Sequence, residues 1–134
     1  MKANTFVVLL IGVALMLAAA PKLGAHHSFA AAFDLTKPIT VMGTITRVDW
    51  GNPHISLFLN VRQKNGGVTE WGVDAAAPAA LVARGLNKTS LKVGDTVLIE
   101  AYPARNGKPF AAASALTLPD GRRILAGSDG AVSK

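Results

Sequence analysis

The chain has 134 residues, of which 50% are hydrophobic and 16% charged, and carries a formal net charge of +6. This composition is too apolar for a disordered chain, and the length allows one modest hydrophobic core. The absence of cysteine excludes disulfides, thiolate metal sites and a lipid-modified cysteine anchor.

Residues 1–25 read as a secretory signal peptide: Lys2 precedes an apolar run from Phe6 to Ala20, and Ala25 offers the small residue a signal peptidase needs. That run is fifteen residues long, short of the roughly 20 required for a membrane span. Cleavage after Ala25 is therefore expected, giving a soluble periplasmic or secreted product that begins at His26. Losing Lys2 and Lys22 with the leader lowers the net charge by two units, so the mature protein is only moderately basic. An exported basic protein meets anionic lipids, wall polymers or acidic partners rather than nucleic acid.

After a lead-in at residues 26–36, the barrel domain is expected over residues 37–125. The run "KPITVMGTITRVDW" reads as the first strand, with Ile39, Val41 and Ile45 on one parity and Val48 and Trp50 on the other. The switch near Thr46 and Arg47 predicts a bulge, and Gly43 removes a side chain from the pleat. "HISLFLNV" alternates without a break, placing Ile55, Leu57, Leu59 and Val61 inward and His54, Ser56, Phe58 and Asn60 outward. On that register Leu57→Asp should unfold the domain and Ser56→Asp should be nearly neutral. "KNGG" is a hairpin turn leading into a third strand, "VTEWGVDA". "APAALVARGL" predicts a short helix ended by Gly85. Strands four and five are "TVLIEAYPA" and "PFAAASALTL", "DGRR" makes a last turn, and residues 126–134 read as a flexible C-terminal tail. Three strands, a helix and two more strands, with a bent first strand, predict a mainly β fold: a small five-stranded OB-like Greek-key barrel with one short helix between strands 3 and 4.

These segments also carry a resemblance. "HHSFAAAFD" after the leader, "KPITVMGTITRVDWGNPH", the tryptophan of "EWGVD", "LKVGD" and "LPDGRR" resemble the exported bacterial family called domain of unknown function 6152. Its most specific parts are "HHSF" and "WGNPH". The resemblance implies an exported OB-like domain and no established activity. This chain has Ala32 in the "FAAAFD" segment where that family often has an acid, and lacks the tryptophan that family often has near Leu86.

Three histidines are the candidate metal ligands. With His26 at the mature terminus, its α-amine and imidazole chelate together, and His54 or His27 supplies a third nitrogen; a nitrogen-rich set of this kind suits Cu(II). If the cut leaves Ala25, a histidine at position three can still hold Cu(II) in a square plane. In the competing reading "HHSF" is a strand-like lead-in whose Phe29 and Phe33 pack on the barrel, and His54 is an ordinary strand-start histidine fixed by a carbonyl or by a carboxylate such as Asp49. Trp50, Asn52, Ser56 and Phe58 are the candidate ligand-face residues, because OB barrels bind across strands two and three. Trp50 and Trp71 also share parity with core valines, the pattern of buried rings. No nucleophile or acid–base constellation is visible, so no catalytic residue is assigned. The leading expectation is a small exported OB-like binding protein with copper as the one cofactor suggested. A metal-free accessory module docking a partner protein or envelope component comes second, and a copper-dependent oxidative enzyme third.

Overall fold

The computed structural model describes residues 29–128; residues 1–28, which include the expected signal peptide, and residues 129–134 lie outside the described residues. Six strands and one labelled helix follow in order: β1 (Ile39–Trp50), β2 (Ile55–Arg62), β3 (Val68–Asp74), α1 (Pro78–Ala83), β4 (Thr96–Pro103), β5 (Phe110–Thr117) and β6 (Arg123–Leu125). The sheet runs β3-β2-β1-β4-β5-β6 and closes on itself through a parallel β3–β5 pairing; every other pairing is antiparallel. This is the five-stranded OB-like barrel expected, with the helix between β3 and β4.

Closure depends on β1 serving two neighbours. Its first half, Ile39 to Thr44, pairs with β4, and its second half, Thr44 to Trp50, pairs with β2. The corner falls at Gly43, where a Cβ would stand 2.8 Å from the backbone oxygen of Asn60; only glycine lets the two strands approach this closely. Three residues on, the register with β2 slips between Ile45 and Arg47, which is the bulge predicted from the change of parity. The slip lets Ile45 before it and Val48 after it both face inward.

The core is the inward row of each strand. Ile45, Ile55, Leu57, Leu59, Ile99 and Leu116 are essentially inaccessible to solvent. Trp50 and Trp71 pack against this core but remain half-buried, at its margin rather than within it. One end of the barrel is plugged by Leu81 from α1, together with Leu86 and Leu91. The helix has only six residues, begins with a proline and has no side-chain cap at Ala77, so it owes its stability to that plug; fully burying a leucine is worth about 1.5–3 kcal/mol. It stops at Gly85, whose φ is +93°. Leu86 N–H then donates to Leu81 carbonyl oxygen at 2.9 Å and Gly85 N–H to Val82 at 3.0 Å, the paired bonds of a left-handed helix stop.

Two features depart from the sequence reading. After the "DGRR" turn the chain continues as β6, an extra strand on the edge of β5, where Ile124 is buried against the core. Ala126 and Gly127, placed in the expected tail, are buried and donate to the Ser114 carbonyl at 3.0 and 3.2 Å. The lead-in also differs: residues 29–32 make a helical turn rather than a strand, closed by Phe33 N–H donating to Phe29 carbonyl oxygen at 2.9 Å.

Candidate functional site

The outer face of β1, β2 and β3 is where the outward parity of "HISLFLNV" delivers its side chains. Cross-strand pairing puts Asp49, Ser56 and Asp74 in one row and Arg47, Phe58 and Gly72 in the next. Gly72 in turn pairs with Phe110 across the parallel seam. Both rows are internally satisfied. Ser56 hydroxyl donates to Asp74 Oδ1 at 2.6 Å, and the Arg47 guanidinium lies 3.7 Å above the Phe58 ring, a cation–π contact. Arg47 Nε also meets Asp49 at 3.2 Å. Asp49 is thus engaged by Arg47, not by His54 as the sequence suggested.

The aromatic row continues beyond the barrel. Phe110 stands 5.9 Å from Phe33, and Phe33 stands 5.0 Å from Phe29, ring centroid to centroid. The lead-in is pinned beside them by the β4–β5 loop: Arg105 N–H donates to Ala32 carbonyl oxygen at 2.9 Å and its Nε to Ala30 at 2.8 Å, while Asp34 N–H donates to Pro103 at 2.9 Å. Asp34 is held below its ordinary carboxylate value, first by the Thr36 hydroxyl and amide that donate to it and then by Arg105 and Lys37. Phe29 and Phe33 therefore do pack on the barrel.

Of the candidate ligands, His54 is exposed at the start of β2, after the cis Asn52–Pro53 bond. It borders a small cleft of about 150 Å³ with Pro53, Ala76, Ala77, Ala80 and Arg84. His26 and His27 lie outside the described residues. Among the described residues no group of three histidine, aspartate or glutamate side chains is placed to hold a metal ion. Of the ligand-face candidates, Ser56 and Phe58 share the outer face, and Asn52 is exposed in the β1–β2 loop. Trp50 pairs with the fully buried Ile55 and packs against the core, so it does not join them. The sequence reading missed Arg105 and Phe110. No local signal links them to Phe33, since the contact spans more than seventy residues.

A family model described as a family of unknown function, DUF6152, matches residues 14–113. The chain belongs to that family. The match covers well over half of the chain and agrees with the resemblance read from its motifs. No curated protein and no solved structure matches the chain.

Proposed function

We propose that this member of the DUF6152 family is a small exported binding protein that holds Cu(II) through the α-amine and imidazole of His26, with His54 or His27 as the third nitrogen. The observation that supports this reading is the pinning of the lead-in. Phe29, Phe33 and the two Arg105 bonds fix the chain to the barrel from Phe29 onward, two residues after His27 in the sequence. His54, whose expected carboxylate partner is turned to Arg47, offers an accessible imidazole on the same barrel. Docking of a partner across strand two draws less support, because Arg47 already covers Phe58 and Phe33 already packs on Phe110.

The test is copper paramagnetic resonance on protein beginning at His26, compared with its His54→Ala variant and with a form extended by one N-terminal Gly. A brace that uses His54 gives a spectrum that His54→Ala alters in the native-start protein and leaves unchanged in the extended one. No change in the native-start protein would remove the long-range ligand.

A further inference from the structure

A second groove, of about 420 Å³, lies on the outer side of β1, β4, β5 and β6, bordered by Ile39, Thr40, Glu100, Tyr102, Arg123 and Leu125. Its volume falls in the range of small-molecule sites. His54 does not border it, and the inference drawn from it does not rest on the copper reading.

Two departures from a plain five-stranded barrel build this groove. The first is β6, whose middle residue Ile124 enters the core while Arg123 and Leu125 stay exposed beside the groove. The second is a bulge in β5. Glu100 pairs with Ala115 and Ala101 with Ala113, leaving Ser114 as the extra residue, its hydroxyl donating to Glu100 carbonyl oxygen at 3.1 Å. Bulges of this kind re-aim side chains and recur next to binding sites. Ala115, in register with both Glu100 and Leu125, is small enough for the longer side chains to reach across it.

The chemistry of the groove selects among ligands. Arg123 Nε and Nη2 donate to the two carboxylate oxygens of Glu100 at 2.7 and 2.8 Å, a planar two-point pair. The pair is neutral overall. An anion drawn to the guanidinium meets the carboxylate beside it, and a cation meets the reverse. A zwitterion finds no separated poles, because the two charges are in contact. A neutral ligand rich in hydroxyls meets no such penalty: Arg123 Nη1 still has donors to offer, and the Glu100 oxygens still have lone pairs. Thr40 and Tyr102 bring hydroxyls to the groove, and Leu125 and the Tyr102 ring supply apolar ground.

We propose that this groove binds a neutral, disaccharide-sized carbohydrate. Its C–H faces rest on Tyr102 and Leu125, and its hydroxyls are shared among Thr40, Tyr102 and the Glu100–Arg123 pair. Because that pair is locked by its own two bonds, little side-chain ordering remains to be done on binding.

The experiment is titration of isotope-labelled protein with maltose and with N,N′-diacetylchitobiose, followed by amide chemical shifts. The expected result is saturable shifts for at least one sugar, centred on Thr40, Glu100, Tyr102 and Arg123. Thr40→Val and Tyr102→Phe keep the strands intact, and each should weaken binding about fivefold, the effect of one lost hydrogen bond. Absence of saturable shifts with both sugars up to their solubility limits would overturn the proposal. So would saturable shifts that neither variant changes.

Discussion

Gly72 on β3 and Phe110 on β5 face each other across the parallel seam that closes the barrel, and a Cβ on Gly72 would stand 2.9 Å from the Phe110 ring. Gly43 has an equally tight neighbour of a different kind, the backbone oxygen of Asn60 at 2.8 Å. A ring can tilt, whereas a backbone oxygen in a strand ladder cannot move alone. Gly72→Ala is therefore expected to cost about 1 kcal/mol and Gly43→Ala about 3 kcal/mol, at either end of the usual range for overpacking. Urea midpoints with unchanged slopes would measure both, and a larger loss at Gly72 would contradict the argument.

Leu57 and Ser56 sit next to each other on β2 with opposite fates. Leu57 is 2% exposed in the core, so Leu57→Asp buries an unpaired charge and should abolish folding. Ser56→Asp, read from the sequence as nearly neutral, is now expected to destabilise. Ser56 donates to Asp74 at 2.6 Å, and a second carboxylate there would lose that bond and face a like charge. Ser56→Ala removes only the bond and should cost about 1 kcal/mol. The deficit of Ser56→Asp relative to Ser56→Ala should shrink in high salt, which screens the like charges; a deficit independent of salt would rule out repulsion as its cause.

How far these relationships can be read in a sequence depends on their range. The bulge at Thr46, the inward row of β2 and the Gly85 stop follow from parity and turn chemistry within a few residues, and all three are present. β6 escaped notice because a three-residue strand with a single buried side chain, Ile124, has no periodicity to detect. The Glu100–Arg123 pair and the Phe33–Phe110 stack join residues that become neighbours only once the barrel has closed. The Asp49 reading failed for a related reason: the bulge turns Arg47 outward onto the face that Asp49 shares, and a guanidinium two residues away outcompetes a histidine across the loop.

Acid should weaken the attachment of β6. Glu100 is held below the ordinary glutamate value of 4.5, chiefly by the hydrogen bonds from Arg123; burial opposes this, and the Arg123 charge adds a smaller lowering. A carboxyl lowered on folding is protonated first in the unfolded chain. Its stabilising contribution is complete above about the unfolded value and is lost as pH falls through the folded one. Glu100→Gln should thus be less stable than the parent at pH 6, with the gap closing as the pH drops below 4.5. Thermal midpoints across that range would show it, and a gap that stays constant would mean that the pair contributes nothing through its charge.

The lead-in provides the last prediction, because one side chain makes both of its aromatic contacts. Phe33 stacks on Phe29 and on Phe110, so Phe33→Ala removes both aromatic contacts at once. Arg105 remains to hold Ala30 and Ala32, but two hydrogen bonds exposed to solvent are weak without the rings that shield them. The barrel core contains neither Phe29 nor Phe33, so the fold should persist. Hydrogen exchange is then expected to quicken selectively at the amides of Asp34 and Arg105, which donate to Pro103 and Ala32, while the amides of Leu57 and Leu59 keep their protection. If the proposed copper site depends on the anchored lead-in, the same variant should convert the copper spectrum to the one that His54→Ala gives. Selective loosening of the lead-in with an unchanged copper spectrum would show that copper binding does not depend on the anchor.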